Sequence, residues 1–271
     1  MTDPPVEPRF ERQARFAPLG PEGQARLASR RGLPVGCGAL GGVLAQWLTR
    51  AGVGERIIVD RAVVEESNLP RQVLFNASHA LAGAPKVDAA AETLALIGGP
   101  TRIVPRAVHL NADQLLELGR DVDLILDGTD NMATRYLVND YAVREGIPWI
   151  YAGVVSAGGL VLAVRPGNGP CLRCVFPEPP PPGALPTCDT AGVIGPAVGA
   201  IASMQAGLAL RILGGTEPPE PALVDIDVWS GSVRRLAVPR AEACPCCAIR
   251  RFDFLEGAAT DEAVSLCGRN T

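Results

Sequence analysis

Short apolar runs and longer stretches of helical periodicity alternate along the first half of the chain. The run 56–60, short and rich in β-branched residues, is typical of a buried parallel strand. Stretches in which apolar residues recur every three to four positions predict helices. The predicted strands are 33–36, 56–60, 101–105 and 122–127, and the predicted helices are 22–30, 39–51, 84–97, 112–118 and 132–145. This alternation predicts an α/β protein with a doubly wound, mostly parallel sheet.

The pattern changes after Pro148. The elements predicted beyond it are strands over 149–155, 160–164, 222–228 and 233–238, and a helix over 194–213. The successive strands predict an antiparallel extension of the sheet. The Pro-rich stretch 176–186 cannot continue a helix or a central strand, so we expect an exposed, semi-rigid loop there. Pro34 and Gly32 lie in the first strand, where a missing N–H and a flexible residue weaken the ladder, and we expect that strand to be distorted.

Composition limits the class of protein. The chain has 271 residues, 47% of them hydrophobic, which is enough for one large domain with an ample core. Its net charge of −4 argues against nucleic acid as the main partner. We find no apolar run of the roughly 18–20 residues that span a bilayer, and no signal peptide, and therefore expect a cytoplasmic protein without a membrane partner. We expect a helical arm over 1–30, a main domain over 31–248 and a tail over 249–271.

A glycine-rich turn lies between the first predicted strand and the helix that follows it. Gly36, Gly38 and Gly41 fit the pattern G-x-G-x-x-G, in which the backbone can approach a phosphate that the helix N-terminus attracts. Asp60 ends the next strand, where an acid accepts hydrogen bonds from ribose hydroxyls. Strand, helix and acid occur in the order of a nucleotide-binding, Rossmann-like domain. The spacing leaves open which nucleotide is bound.

Cationic residues follow the same strand, at the edge of the sheet where α/β folds bind ligands. Arg71 lies in the segment 67–72, and Lys86, the single lysine of the chain, lies slightly further on. Both would supply positive charge to a polyphosphate; the alternative is that each is a solvated surface residue. Because a Walker A loop needs Gly-Lys-Ser/Thr and Lys86 is not in that sequence, P-loop NTPases are excluded.

A further predicted strand ends in Asp127-Gly-Thr-Asp130-Asn131. A carboxylate at that edge, opposite cationic residues, suits Mg²⁺, which takes one or two carboxylates plus phosphate oxygens. Asp130 is therefore a candidate magnesium ligand. The alternative is that Asp130 caps the helix that begins near Met132. Asp127 is interpreted as structural.

The eight cysteines predict metal ligands or catalytic thiols, because disulfides are rare in the cytoplasm. Two C-x-x-C pairs supply four thiolates, which suit a tetrahedral structural zinc ion: Cys171, Cys174, Cys244 and Cys247. Cys246 is a spare inside the second pair, and its exclusion rests on spacing. Cys188 is a candidate nucleophile or thioester acceptor, or else an inert loop thiol. Cys37 is interpreted as an apolar filler, and Cys267 has no assignment.

Together these residues resemble the MoeB/ThiF family of ubiquitin-activating-type adenylyltransferases. The run Thr187–Pro196, with Asp227-Val-Trp229 later in the chain, resembles its ThiF-like branch. The resemblance runs from about Arg9 to Cys247. Its landmarks are Arg9-Phe-Glu-Arg12-Gln13, the glycine loop, Asp60, Asn68-Leu-Pro-Arg71-Gln72, Gly83-Ala-Pro-Lys86, Asp127-Gly-Thr-Asp130-Asn131 and the two cysteine pairs. It implies that ATP activates the C-terminal Gly-Gly of a sulfur-carrier protein of the ThiS or MoaD type as an acyl-adenylate, for thiamin, molybdopterin or thiolated-tRNA synthesis.

The resemblance also implies roles for single residues. The nucleotide contacts would be Gly36, Gly38, Gly41, Asp60, Asn68, Arg71, Gln72, Lys86, Asp130 and Asn131, with Mg²⁺ on Asp130. Arg12 would reach the active site of the partner subunit, which implies a homodimer. Cys188 matches the family's loop cysteine, which bonds to the carrier in some members and is dispensable in others. The second acid that often follows the ribose acid is replaced by Ala62.

Three other functions are weighed against this one. An NAD-dependent oxidoreductase would share the glycine loop and Asp60, but leaves the cysteine pairs and the set Arg71, Lys86 and Asp130 unexplained. A non-catalytic, zinc-stapled module could bind a carrier tail without activating it. Adenylation of a small carboxylate on tRNA is opposed by the acidic charge and the intact cysteine pairs. Because the chain ends soon after Asn270, we expect the sulfur donor to be a separate sulfurtransferase or cysteine desulfurase.

Overall fold

An eight-stranded sheet forms the centre of the protein in the computed structural model, which describes residues 4–181, 184, 186–217 and 220–257. The strands are β1 (Arg31–Val35), β2 (Glu55–Val59), β3 (Arg102–Arg106), β4 (Leu124–Asp127), β5 (Trp149–Val155), β6 (Gly158–Val164), β7 (Ala222–Asp227) and β8 (Ser232–Ala237). The helices are α1 (Glu11–Ala14), α2 (Gly20–Ser29), α3 (Ala39–Arg50), α4 (Ala77–Ala82), α5 (Lys86–Ala95), α6 (Ala112–Leu118), α7 (Met132–Glu145), α8 (Leu172–Val175), α9 (Cys188–Ala191) and α10 (Gly195–Leu213). Cys267 and most of the expected tail lie outside the described residues.

The strands lie in the order β3-β2-β1-β4-β5-β6-β7-β8. From β3 to β5 all neighbours are parallel, and from β5 to β8 they are antiparallel. The predicted α/β fold, with a mostly parallel sheet and an antiparallel extension, is therefore confirmed. One face packs against α6 and α7, and the other against α2, α3 and α10. Ligands of such sheets bind beyond the carboxyl ends of the parallel strands.

Pro34 lies in the central strand β1, and its effect is confined to one side. Towards β4 the pairing is continuous from Gly32 to Val35. Towards β2 the pairing includes neither Leu33 nor Pro34. Alternate residues of a strand bond to the same neighbour, and Gly36 N donates to Val59 O of β2, so the missing N–H of Pro34 falls on the β2 side. The expected distortion is thus a gap in one ladder, and the strand keeps its central place.

The predicted helix 84–97 is observed as the single helix α5, Lys86–Ala95. A short helix, α4, precedes it, capped by Asn76, whose side chain accepts from His79 N. Gly83 ends α4 in the left-handed conformation, with φ of +57°. Pro85 then precedes Lys86, the first residue of α5. Lys86 therefore stands at a helix N-terminus, at the turn between the two helices.

Helix α10 corrects the expectation that no apolar run is long enough to span a membrane. By length and composition alone, this 19-residue helix could cross one. In the fold it packs against α3 and against β4, β5 and β6. Its buried face belongs to the core cluster that contains Val198, Ile201 and Leu213. Core helices of this kind meet the same criterion of length and composition.

Candidate active site

The glycine loop joins β1 to α3 and lies against the loop that follows β4. Gly36 has a φ of +90°, and a Cβ built on it would lie 2.6 Å from Gly128 O. A Cβ on Gly41 would overlap Gly36 O. Gly38, the first residue before α3, has a negative φ and meets only the Gln72 amide, 3.9 Å from a built Cβ. Space therefore remains above Gly38 at the N-terminus of a 12-residue helix, which is where an anion is stabilised.

Asp60 follows β2 and is fixed against the glycine loop. Its carboxylate accepts hydrogen bonds from Cys37 N and Ala62 N, both at 2.8 Å. Cys37 is fully buried, and this burial together with the charge of Asp60 raises the pKa of its thiol. Cys37 is thus an apolar filler of the turn, as the sequence predicts. The geometry places Asp60 beside the loop, at the position expected of a ribose ligand.

The segment that contains Asn68, Arg71 and Gln72 lies over the glycine loop. Asn68 is buried, and its side-chain oxygen accepts from Glu65 N at 3.1 Å. Arg71 is half-buried and donates to Ser67 O at 2.7 Å. Gln72 is 5% exposed, with its Nε2 beside Gly38, and its Oε1 has no hydrogen-bond partner among the described residues. Gln72 is therefore a buried polar group directed at the space above the loop.

Lys86 and Asp130 reach the same space from two other elements. Lys86 is half-buried, and its backbone N–H donates to Ala62 O at 2.9 Å. Solvent reaches Asp130, yet the protein packed around its carboxyl group raises its pKa, while the charges of Arg135 and Lys86 lower it. Asp60 also acts on the pKa of Asp130. The ammonium group and the two carboxylates therefore share one electrostatic environment at the carboxyl edge of the sheet.

The alternative for Asp130, that it caps α7, is wrong. The cap is Asn131, whose side-chain oxygen accepts from Thr134 N at 3.1 Å. The Asp130 carboxylate is thus not used to begin the helix. The side-chain oxygen of Asn131, predicted as a nucleotide contact, is used for that cap.

Two buried polar residues at this edge were missed by the sequence interpretation. Arg135 on α7 pairs with Asp127, with Nε 2.9 Å from Oδ2. Gln205 on α10 donates to Asp127 O at 3.0 Å and to Ile150 O at 2.9 Å, which ties β4 to β5. The interpretation of Asp127 as structural is therefore confirmed. Gln205 is remote from Asp127 in sequence, and Arg135 lies beyond the motif 127–131, so the motif spacing gave no signal for either residue.

Cys188 lies near the same edge, at the start of α9. Its Sγ is 3.9 Å from Val154 O, near the end of β5. The segment that follows is held to β5 because Ser156 N donates to Gly192 O and Ile194 N donates to Ser156 O. Since β5 is parallel to β4, its carboxyl end lies at the edge that carries Asp130. The structure thus brings the half-buried Cys188 to the edge of the sheet that carries Asp130.

The two cysteine pairs meet at a second place. The four sulfur atoms of Cys171, Cys174, Cys244 and Cys247 lie within 4.8 Å of one another. Sulfurs around a tetrahedral zinc ion, with Zn–S near 2.3 Å, are about 3.8 Å apart, so this donor set fits. Cys246 is buried outside the set, and its sulfur accepts from Asn139 Nδ2 at 3.2 Å. The ligand set predicted from spacing is therefore the cluster that could hold a metal.

Arg12 lies far from the glycine loop of its own chain. It is exposed on α1 and, in the described part of the chain, makes neither a hydrogen bond nor an ion pair. The next residue, Gln13, donates to Ala51 O at the C-terminal end of α3 at 3.0 Å, whereas the glycine loop is at the N-terminal end. A 12-residue helix is about 18 Å long. The structure therefore does not bring Arg12 together with Asp60, Lys86 and Asp130 within one chain.

Solved structures share this fold. The crystal structure of E. coli MccB with ATP matches with a TM-score of 0.76 and 22% identity, covering 89% of this chain and 75% of that chain. A second MccB structure, with MccA-N7isoASN, matches with a TM-score of 0.78 and 21% identity, covering 89% of this chain and 75% of that chain. At this level of identity the likeness establishes the fold alone.

Curated relatives are closer in sequence. The sulfur carrier protein ThiS adenylyltransferase of Bacillus subtilis is 43% identical over 97% of this chain and 78% of its own length. The sulfur carrier protein adenylyltransferase of Thermus thermophilus is 39% identical, over 88% of this chain and 90% of that protein. The adenylyltransferase and sulfurtransferase MOCS3 of Sus scrofa is 40% identical over 95% of this chain, which spans 58% of that protein. The ThiF family model matches residues 10–246, so the chain belongs to the ThiF family.

Proposed function

We propose that this protein is an ATP-dependent adenylyltransferase that activates the C-terminal Gly-Gly carboxylate of a ubiquitin-like sulfur carrier as an acyl-adenylate. The observation that carries the proposal is the convergence of the glycine loop, Asp60, Lys86 and Asp130 at one edge of the sheet. An NAD-binding domain has no need of an ammonium and a carboxylate at the phosphates. The names of the relatives from Bacillus subtilis and Thermus thermophilus support the same activity.

In this mechanism ATP lies over the glycine loop. Asp60 accepts hydrogen bonds from the ribose, and the phosphates lie at the N-terminus of α3, near Gly38. A carboxylate oxygen of the carrier attacks the α-phosphorus, the bond to the bridging oxygen breaks, and pyrophosphate leaves. The carboxylate attacks without losing a proton, so a general base is not needed. Lys86 and Arg71 stabilise the charge that develops on the phosphates, and the rest of catalysis is positioning.

Asp130 would hold Mg²⁺ together with phosphate oxygens. Its carboxylate is accessible, is not consumed by the cap of α7, and shares its surroundings with Lys86, which fits the ligands that Mg²⁺ takes at phosphates. When bound, the ion would neutralise charge on the phosphates and on leaving pyrophosphate. Asn68, Gln72 and Asn131 would line the nucleotide, with the Gln72 Oε1 as the acceptor that lacks a partner among the described residues.

Zinc in the cysteine cluster would have a structural role. Its four ligands close the tetrahedral coordination and leave no position for substrate. The two segments it would clamp are already joined by Asn139, which accepts from Leu172 N and donates to Cys246. Zinc would therefore join the segment that contains α8 to the segment after β8, beside Asn139 of α7, and stabilise the fold.

A homodimer would complete the site. Arg12 lies near the end of α3 that is far from the glycine loop, and this supports a role for it in the site of a second copy. The exposed apolar side chains include Trp47 on α3 and Met204 on α10, and these two helices pack side by side. An apolar face on neighbouring helices suits an isologous contact between two copies of this chain. Each dimer would then hold two composite sites.

The carrier would be a ThiS-type or MoaD-type protein in the cytoplasm, and a separate sulfurtransferase or cysteine desulfurase would supply the sulfur. Cys188 would form a covalent link with the activated carrier, and its location at the same edge as Asp130 supports this role. A Cys188→Ala variant separates the two roles left open by the sequence. Loss of sulfur transfer with retained adenylation indicates the covalent link, and unchanged transfer indicates an inert thiol.

The test is carrier-dependent exchange of labelled pyrophosphate into ATP. We expect exchange with a carrier that ends in Gly-Gly and none with the same carrier lacking the two glycines. Equal background rates with both carriers would contradict the proposed function and favour a non-catalytic, carrier-binding module. In parallel, ATP should raise the melting temperature more than NAD does.

A further inference from the structure

Arg135 is the buried cation of the active-site edge, and the mechanism above gives it no role. It is 6% exposed and lies on the first turn of α7, directly beneath the loop that carries Asp130. Its partner Asp127 is 2% exposed, and the two form a buried ion pair. A buried ion pair by itself is weak evidence for stability, because an apolar pair of the same size is often as stable. A role other than stability is therefore the better explanation for the buried position of Arg135.

The guanidinium group makes three hydrogen bonds to oxygen atoms, and a fourth to Met132 Sδ at 3.5 Å, which a point charge could not make together. Nε donates to Asp127 at 2.9 Å, and Nη2 donates to Thr129 O at 2.7 Å and to Ala152 O at 3.0 Å. The guanidinium carbon lies over the face of the Tyr151 ring, 5.2 Å from the ring centroid. Arginine alone among side chains has this planar, forked arrangement of donors.

These bonds fix the loop after β4 to the neighbouring strand. Thr129 directly precedes Asp130, and it is held from both sides: its carbonyl by Arg135, and its N–H and hydroxyl by Asp127, at 2.9 and 2.8 Å. Ala152 lies in β5, two residues before Val154, the carbonyl of which is near Cys188. The position of the Asp130 backbone is thus determined by a side chain that does not itself reach the nucleotide space.

We propose that Arg135 is a positioning residue for the metal–nucleotide site: it holds the Thr129 carbonyl so that Asp130 faces the polyphosphate and its divalent cation. The proposal rests on the proposed function, in which Asp130 takes the metal bound to ATP. Arg135 lies on α7, outside the motif 127–131, and it would control how tightly the metal is held.

The test compares Arg135→Lys with Arg173→Lys. Arg173 is a matched control, because it is also buried and ion-paired, at 3.3 Å from Asp253, but lies at the cysteine cluster. The measurement is Mn²⁺ binding, followed by electron paramagnetic resonance, to each protein with the ATP analogue AMPCPP and without carrier. We expect Arg135→Lys to weaken Mn²⁺ binding at least about tenfold, as loss of a partner of a metal ligand does, and Arg173→Lys to leave it unchanged.

A second readout separates positioning from folding. With Arg135→Lys the ammonium cannot hold the same bonds, so Mn²⁺ binding should weaken, whereas AMPCPP binding without a divalent cation should stay near the wild-type value in both variants, because Arg135 does not reach the nucleotide space. If Arg135→Lys gives no cooperative melting transition, Asp127→Asn/Arg135→Gln replaces it under the same expectation, since that pair leaves no buried charge.

Wild-type affinity in the Arg135 variants, or equal weakening in the Arg173 control, would overturn the proposal. Absence of Mn²⁺–AMPCPP binding in the wild-type protein is a different result. It would overturn the proposed function itself, on which the role of Arg135 depends.

Discussion

The nucleotide edge and the cysteine cluster are built in opposite ways. At the edge, Asp60, Lys86 and Asp130 come from three separate segments of the chain and remain accessible, and the three charged groups share one electrostatic environment. In the cluster, Cys171 and Cys244 are buried, and the four sulfur atoms face one another. The accessible edge suits a ligand that exchanges in each turnover, whereas the buried cluster suits an ion that remains bound. Activity and stability should therefore be lost separately, at different residues.

The largest effect should follow Cys171→Ser. Removal of one zinc ligand leaves the other buried thiols without compensation, so we expect loss of the metal and of the cooperative melting transition. Cys246→Ser is the matched control, since Cys246 lies outside the ligand set and should keep one zinc per chain. Zinc content by mass spectrometry and thermal melting check both variants. Freshly purified wild-type protein without zinc would refute the prediction that the cysteine cluster holds a structural zinc ion.

A large loss of activity without loss of fold should follow Lys86→Arg. The longer, planar guanidinium group cannot replace a compact ammonium group without changing the geometry at the phosphates. We expect pyrophosphate exchange to fall by roughly 10–1000-fold, as when one preorganised charge is removed. The melting temperature and zinc content should stay at wild-type values. Near-equal exchange rates would show that Lys86 is a solvated surface residue.

The composite site can be tested by mixing inactive variants. Arg12→Ala and Lys86→Arg should each lack most activity, but a mixed dimer pairs an intact Lys86 in one chain with an intact Arg12 in the other. Random reassembly should restore about a quarter of wild-type exchange, because half of the dimers carry one complete site of two. Activity no higher than the sum of the separate variants would contradict the exchange of Arg12 between subunits.

Much of the fold and of both sites could be predicted from the sequence, because the motifs that identify them are local. The glycine spacing, the acid after β2 and the two C-x-x-C pairs each occur within a few residues, and the sheet follows from the alternation of strands and helices. Arg135, Gln205 and Asn139 could not be predicted, since each acts through contacts with other elements. The short helix α4 was missed because six residues are too few for a periodic pattern.

The smallest effect concerns pH and Asp140, which lies beside the cysteine cluster. Burial raises the pKa of Asp140 from 3.8 to about 6. A carboxyl group with a raised pKa in the folded state favours folding while protonated, and this contribution is lost as pH rises through about 6. Relative to Asp140→Asn, the wild-type protein should lose about 1 kcal/mol of unfolding free energy between about pH 5 and pH 7.

Urea denaturation of the two proteins at both pH values measures that difference. The metal ligands are the same in both, so any pH dependence of zinc binding cancels in the comparison. A difference in unfolding free energy between the two proteins that is the same at both pH values would show that Asp140 does not titrate in this range.

Formation of a carrier adenylate at the nucleotide edge can be detected by mass spectrometry of a Gly-Gly-terminated carrier that is incubated with this protein and ATP and trapped with hydroxylamine. We expect the hydroxamate of the C-terminal glycine with wild-type protein and little of it with Lys86→Arg. A carrier of unchanged mass, under conditions in which the protein binds both ATP and carrier, would show that this edge does not adenylate the carrier.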